Sequence, residues 1–432
     1  MIYRTILTAV VISLLSSTTL LFAAPPEKTA RIIPSHYIVV FKEGVDTDKV
    51  ADNFLNRFVG LEVSFRYRHA LRGMAVKMPS QLLARISADP SVAYIEPDVI
   101  VTLDAQTLPT GVNRINADLD ATASIDGVDD RVDADIAILD TGIDLDHPDL
   151  NVFNFAYCQP QGRFNYTCAD GDLDADDINT HGTHVAGIAA ALDNTSGVVG
   201  VAPGARLWAV KVLEDDGSGA GSQIIAGVDY VAQHAAEIEV ANMSLTGDGS
   251  FQSLDDAIDG AVAAGVVFVL AAGNDHIDVS LVFPAGNTNA ITVSAFEDYD
   301  GVPGGQSGNS GDDTFANFSN YGAGVDILAP GVAIRSTVPG GGLGNKSGTS
   351  MASPHVAGAA ALYMSNNPGA DPAAVKAALI ADGDPAPCSN NPDGICGAPE
   401  DPDGIQEPLL MLTCADTDAD GVQDDQGLED WL

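Results

Sequence analysis

Positive charge is scarce in this chain: its 432 residues hold 19 Lys and Arg against 60 Asp and Glu, a formal net charge of −41. The shortage is uneven. Up to Leu108 the signs balance at 11 against 10, whereas from Pro109 onward 8 cations face 50 carboxylates. Such a body repels phosphate backbones and anionic membrane surfaces, which excludes nucleic acid as a partner and suits divalent cations or a salty medium. Long apolar runs are missing after the first two dozen residues, so no second stretch of about 20 apolar residues exists to span a bilayer. No His-Glu-x-x-His pattern occurs, which sets zinc-peptidase chemistry aside. Cysteine is sparse, five in all, but spaced as for an oxidising compartment. Cys158 with Cys168 and Cys388 with Cys396 could each close a local loop; Cys414 is then left over, or the last three pair differently.

What is present begins with a leader-like stretch. Arg4 precedes an apolar run over 6–21, and Ala23 and Ala24 close it, the pattern of a secretory signal over 1–24. Across 25–105, strand patterns at 36–41, 61–67, 74–78 and 92–101 alternate with helical patterns at 46–58 and 80–88. The order βαββαβ predicts a small α+β sandwich. Over 106–385, short apolar runs (136–139, 207–212, 240–245, 266–271, 291–295) alternate with helical patterns (183–192, 222–236, 254–264, 350–364). That alternation predicts an α/β fold, a doubly wound and mostly parallel sheet with helices on both faces. Functional groups then belong at the carboxyl ends of the strands. A tail rich in Pro, Asp and Gly is expected over 386–432.

Four short blocks fit that expectation. Ile136-Ala137-Ile138-Leu139 runs into Asp140-Thr141-Gly142, so Asp140 ends a strand. Thr180-His181-Gly182-Thr183-His184 sets His181 at a helix start, and Ala271-Ala272-Gly273-Asn274 ends another strand in an amide. Gly348-Thr349-Ser350-Met351-Ala352-Ser353-Pro354 leads from a Gly-rich stretch into an Ala-rich helix. Taken alone, Ser350 is either a helix cap or a nucleophile whose oxyanion would be held by unpaired N–H groups at the helix start. Beside the other blocks the second reading prevails. His181 can take the hydroxyl proton, Asp140 can orient the imidazole, and Asn274 can donate to the oxyanion next to the Ser350 N–H. His184 and His355, inside helices, read as core residues, and Asn242 as support beside a strand.

These blocks, in the chain order Asp, His, Ser, resemble the signatures of the subtilisin-like serine proteases over about 109–385. Residues 36–101 resemble the matching propeptide. The run from Gln106 to Ile115 resembles the start of mature enzymes in the proteinase K branch, with Thr110 where that branch usually carries an aromatic. The resemblance implies a secreted serine endopeptidase acting on extended polypeptides. It also implies a precursor whose own propeptide assists folding, inhibits the enzyme and is cut off by Ser350 between Leu103 and Pro109. Gly217, Ser218 and Gly219 would form one edge for the substrate, Ser244, Leu245 and Thr246 the other, with Ala272 and Gly273 beside them. Thr246 stands where the family usually has Gly.

Calcium is the expected structural cofactor, and no organic cofactor is called for. Asp170, Asp172 and Asp174, with Asp176 and Asp177, form either a set of converging ligands or a solvated acidic loop before His181. Asp416, Asp418, Asp420 and Asp424 match the opening of an acidic calcium loop, although Gly427 stands where an EF-hand has its Glu. Asp149 resembles a calcium position of some subtilisins, or is a turn residue.

Overall fold

The computed structural model describes residues 32–99, 106–161, 165–302, 311–383, 402–405 and 407–412. The leader-like stretch, Cys388, Cys396 and Cys414, and Asp416, Asp418, Asp420 and Asp424 lie outside the described residues. The chain divides into two compact units, 1–103 and 104–432.

The first unit runs β1 (Ile32–Phe41), α1 (Thr47–Arg57), β2 (Glu62–Tyr67), β3 (Gly73–Lys77), α2 (Leu83–Ser87) and β4 (Val92–Val99). Its strands pair antiparallel in the order β2-β3-β1-β4. Alternate residues of the strands (Val39, Met74, Val76) close onto Phe54 and Phe58 from the first helical segment and Ile86 from the second, giving the unit its own core. Asp46 starts α1 by accepting from the Lys49 N–H.

The second unit opens with α3 (Thr110–Arg114) and then alternates strand and helix: β5 (Asp135–Asp140), β6 (Val152–Gln161), β7 (Asn165–Asp170), α4 (His181–Ala190) and β8 (Arg206–Lys211). It continues through α5 (Gly221–Gln233), β9 (Val240–Met243), β10 (Gly247–Asp248), α6 (Gln252–Ala263), β11 (Val267–Ala271), β12 (Val282–Phe283) and β13 (Ile291–Glu297). The last elements are β14 (Thr314–Phe315), β15 (Ile327–Pro330), β16 (Ile334–Val338), β17 (Gly342–Lys346), α7 (Thr349–Asn366) and α8 (Pro372–Asp382). Strands β15-β13-β11-β9-β5-β8-β6 pair in parallel, with β7 antiparallel at the edge.

Both sheet faces are buried, which explains why the strands read as unbroken apolar runs rather than alternating ones. Ile136 and Ile138 of β5 join the core under α4 and α7, while Ala137 and Leu139 join the core that includes residues of α5 and α6. The order of strands reverses around β5, so its carboxyl end lies at the switch point where such sheets gather their ligands. Cys158 faces Cys168 across the β6–β7 pair, with their sulfurs within bonding distance.

The tail, which the sequence leaves open as a removable appendage, a spacer or a stabilising clip, packs against the body where it is described. Pro408 O accepts from Leu328 N at 2.9 Å, Leu410 N donates to Leu328 O at 2.8 Å, and Leu412 N donates to Ile115 O at 2.8 Å. Leu409 and Leu410 are fully buried. Residues 407–412 therefore belong to the body, because three leucines within four positions join its core, Leu409 beside Phe296 and Leu328. Leu410→Ala, placed in a Ser350→Ala chain to suppress self-digestion, should lower the unfolding free energy by about 2–5 kcal/mol in a urea titration. An unchanged midpoint would mean that the segment is an appendage after all.

Candidate active site

Asp140 is the last residue of β5 and is fully buried. Its Oδ1 accepts the Thr141 N–H at 2.7 Å and the His181 Nδ1–H at 2.8 Å, and its Oδ2 lies 3.0 Å from the same nitrogen. A ring that donates from Nδ1 presents Nε2 as an acceptor, the form a general base needs. Burial works against a proton on His181, but the charge and hydrogen bond of Asp140 outweigh it, so its pKa lies above the ordinary histidine value.

Ser350 is the second residue of α7. Gly348 before it takes φ 151° and ψ 162°, a conformation open to glycine alone, and this turns the chain sharply into the helix. Pro354 sits inside α7 without an N–H, so the Ser350 carbonyl lacks its usual helical donor. Ser244 Oγ supplies that bond at 2.9 Å, and Ser350 Oγ donates back to the Ser244 carbonyl at 3.3 Å. The exchange continues inward: Asn242, fully buried, donates to Ser244 Oγ at 3.0 Å and accepts from Ser353 Oγ at 2.6 Å. Among the described residues no hydrogen bond joins Ser350 to His181; in free enzymes such contacts often close only around substrate.

Asn274 follows β11. Its Oδ1 accepts from Thr349 N at 2.8 Å and Thr349 Oγ1 at 3.1 Å, which fixes the amide with Nδ2 free to donate. A Cβ built on Gly348 would meet the Asn274 amide at 3.5–3.6 Å and Ser350 N at 3.7 Å, so the two donors flank one point. Asn320, absent from the sequence reading, holds the loop behind. It donates to Ala272 O at 2.9 Å and accepts from Asp275 N and Ile277 N at 3.0 and 3.1 Å. Only its location in space exposes it, since an Asn in a Ser-Asn-Tyr run carries no pattern.

A cavity of about 500 Å³ opens beside His181, lined by Gly217, Ser218, Gly219, Ser244, Leu245 and Thr246, with Leu213, Ile224 and Phe283 giving it an apolar floor. Ala272 and Gly273 lie at the end of β11, and neither lines this cavity. His184 and His355 are core residues. Each donates one ring N–H to a carbonyl, of Gly344 and Met351, and burial pushes both pKa values down to about 4.

The acidic loop before His181 does not converge. Asp170 accepts from the Tyr230 hydroxyl, and Asp172 accepts from Asp174 N at 3.1 Å and Gln159 Nε2 at 3.5 Å. Among the described residues the carboxylates whose oxygens do gather, within 4.8 Å, are Asp298, Asp300 and Asp312. Asp298 there is salt-bridged to buried Arg114 at 2.9 Å, and burial pushes its pKa up to about 6. A second oxygen-rich knot surrounds buried Asp149, which accepts from Asn194 Nδ2 at 2.8 Å and Val198 N at 2.9 Å. Gln106 Nε2 donates to the Leu192 and Val198 carbonyls beside it at 2.7 and 3.2 Å.

An Asp–His pair at strand and helix ends, a serine at a helix start and a peptide-sized groove define a serine-type hydrolase site. Residues 133–398 match the model of the subtilase family, and residues 36–104 match that of the peptidase inhibitor I9 family. The chain is 38% identical over 338 residues to subtilisin NAT of Bacillus subtilis subsp. natto, covering 77% of this chain and 81% of that one. It is 37% identical over 364 residues to an alkaline protease of Alkalihalobacillus alcalophilus, covering 84% and 88%. The solved structure of a cold-adapted subtilisin-like serine proteinase aligns with a TM-score of 0.53 at 33% identity, covering 71% of this chain and 98% of that one. The chain belongs to the subtilase family. It is a serine-type endopeptidase made as a zymogen, with an inhibitor domain of the I9 type at its N-terminal end. No helix among the described residues is long and apolar enough to cross a membrane.

The Asp140 contact sets the direction of a titration. In a Ser350→Ala chain followed by NMR, the His181 ring should titrate above the ordinary histidine value, and Asp140→Asn should bring it down. A ring whose titration does not move on Asp140→Asn would show that the pair carries no electrostatic coupling.

Proposed function

We propose that the enzyme is secreted, frees itself from its own propeptide, and then cuts extended polypeptides through an Asp140–His181–Ser350 triad. The observation that carries this reading is the Asp140–His181 hydrogen bond beside a groove lined by Ser244, whose carbonyl accepts from Ser350 Oγ. A peptide lying between Gly217–Gly219 and Ser244–Thr246 pairs its backbone with both edges and so presents a carbonyl to Ser350. His181 Nε2 takes the hydroxyl proton as Oγ attacks, and Asp140 stabilises the imidazolium that forms. The negative charge that develops on the carbonyl oxygen meets Asn274 Nδ2 and the Ser350 N–H, a donor pair fixed before the reaction starts. The proton then passes to the leaving amine, and water admitted on the same base hydrolyses the acyl-enzyme. Thr246 adds a branched side chain to the groove and so selects smaller substrate side chains there. The Gln106–Ile115 run supports placing the enzyme in the proteinase K branch.

The leader-like stretch and the Cys158–Cys168 bridge fit secretion into an oxidising medium. Asp149 and the carbonyls of Leu192 and Val198 offer the hard oxygens that calcium takes, the amides of Gln106 and Asn194, whose N–H groups now face them, would add theirs on turning over, and Asp149 is the buried charge such an ion would neutralise. A calcium ion there would tie Gln106, at the start of the mature enzyme, to the loop around 192–198. It has a structural part and no chemical one.

Two measurements test this reading. Intact mass of the secreted chain should show a wild-type product starting near Gln106 and a Ser350→Ala product that keeps its propeptide; equal trimming of both would assign the cut to another protease. Chelator added to the Ser350→Ala chain should lower Tm by about 5–10 °C, from the roughly 3 kcal/mol that an ion at about 100 times its Kd contributes. Asp149→Asn should abolish that difference, and an unmoved Tm would remove calcium from this site.

A further inference from the structure

Asp177 lies four residues before His181 and is 3% exposed, yet neither the triad nor the groove uses it. Its carboxylate accepts five hydrogen bonds. Oδ1 takes Thr141 Oγ1 at 3.0 Å, Asn179 N at 2.9 Å and Thr180 N at 3.0 Å, and Oδ2 takes Thr183 N at 2.9 Å and Thr183 Oγ1 at 2.6 Å. Every partner is a donor, so the site is built for a carboxylate and has no place for an N–H.

Two of those partners are relays. The Thr141 hydroxyl, next to Asp140, accepts the Gly182 N–H, next to His181, at 3.1 Å. The Thr183 hydroxyl accepts Asp144 N at 3.0 Å. Asp177 thus pins the turn that carries Asp140 to the first turn of the helix that carries His181, through hydroxyls on both sides. It also stands in for the missing cap of α4, since Thr180 takes φ 86° and its side chain caps nothing.

We propose that Asp177 is a positioning residue for catalysis, which sets the approach of Asp140 to His181 and adds its charge to the field on the imidazole. The inference rests on the triad reading above. Besides Asp177, the charged groups bearing on the ring are Asp140 from β5 and Lys346 from β17, which donates to Thr180 Oγ1 at 2.9 Å. Lys211 of β8 is spent on Thr141 O and Asp215. Asp140 and Asp177 favour the protonated ring, while burial and Lys346 oppose it. A cap that only held the helix would affect stability and leave the pH profile in place.

The test compares wild type with Asp177→Asn, Thr141→Val, Thr141→Ser and Ser350→Ala in the full chain. Variants slow to mature are processed by a trace of wild-type enzyme, whose contribution is subtracted. Asp177→Asn and Thr141→Val should each lower kcat by about 10²-fold at nearly unchanged KM, as expected for displaced reacting groups. Thr141→Ser, which keeps the hydroxyl, should restore most of the rate. The acid limb of kcat/KM should move to lower pH in Asp177→Asn, where a negative charge is lost, and by less in Thr141→Val, where that charge stays. If Asp177→Asn does not fold, the Thr141 pair still decides: equal rates for Val and Ser overturn the proposal. A folded Asp177→Asn with kcat near wild type, or with an unmoved acid limb, overturns it too. Activity persisting in Ser350→Ala would instead overturn the triad.

Discussion

Helices α4 and α7 lie against each other over one face of the sheet, and His181 and Ser350 sit in their first turns. The distance between His181 and Ser350 is therefore a matter of how closely two backbones can approach. A Cβ at Gly358 would come within 2.6 Å of Val201 and 2.9 Å of the Ala189 carbonyl, and one at Gly187 within 2.2 Å of Thr337 Oγ1. Ala352, Ala357, Ala359, Ala360 and Ala361 are all fully buried along the same helix. A larger side chain at Gly358 would push the two helices apart, and one at Gly187 would push α4 off β16; either would shift His181 relative to Ser350. This is why α7, the longest helix among the described residues, is also rich in small residues.

Packing brings the ends together, and polar contacts then fix their angles. Pro354 withholds one helical donor, which frees the Ser350 carbonyl for Ser244 and couples β9, one wall of the groove, to α7. Asn274 is tied by Thr349, and Asn320 ties the loop that bears it. Each of these bonds is buried or nearly so, where an unmade bond would cost about 1–3 kcal/mol, so the arrangement is held before substrate arrives. The acidic surface does a different job. Carboxylates such as Asp133 and Asp135 pair with Arg206, but 8 cations cannot serve the 50 carboxylates after Leu108, and described ones such as Asp193 and Asp278 accept backbone N–H groups.

Much of this was readable from residues alone. The five parallel strands foreseen from apolar runs fall within a residue or two of β5, β8, β9, β11 and β13, because strands buried on both faces must be apolar throughout. The four motif blocks were readable for a related reason: each couples a glycine or turn to the end of an element, and turn geometry is local. Less local features escaped. Asp177 read as one of five alternating carboxylates, and nothing in that alternation separates it from Asp170, which serves Tyr230, or Asp172, which caps a turn. Residues 407–412 read as tail because Leu-Leu-Met-Leu follows a Pro-, Asp- and Gly-rich stretch, yet they cover the β15 edge.

The sequence by itself decided the alternation of strand and helix, the two-unit order and the residues that end each functional element, since these follow from period, turn chemistry and capping within a few positions. Tertiary structure alone decided which carboxylates lie beside His181, which polar groups gather around Asp149 and where Leu409, Leu410 and Leu412 go. Those outcomes depend on contacts between residues 30 to 300 positions apart, and identical carboxylates differ only in the donors that folding places around them.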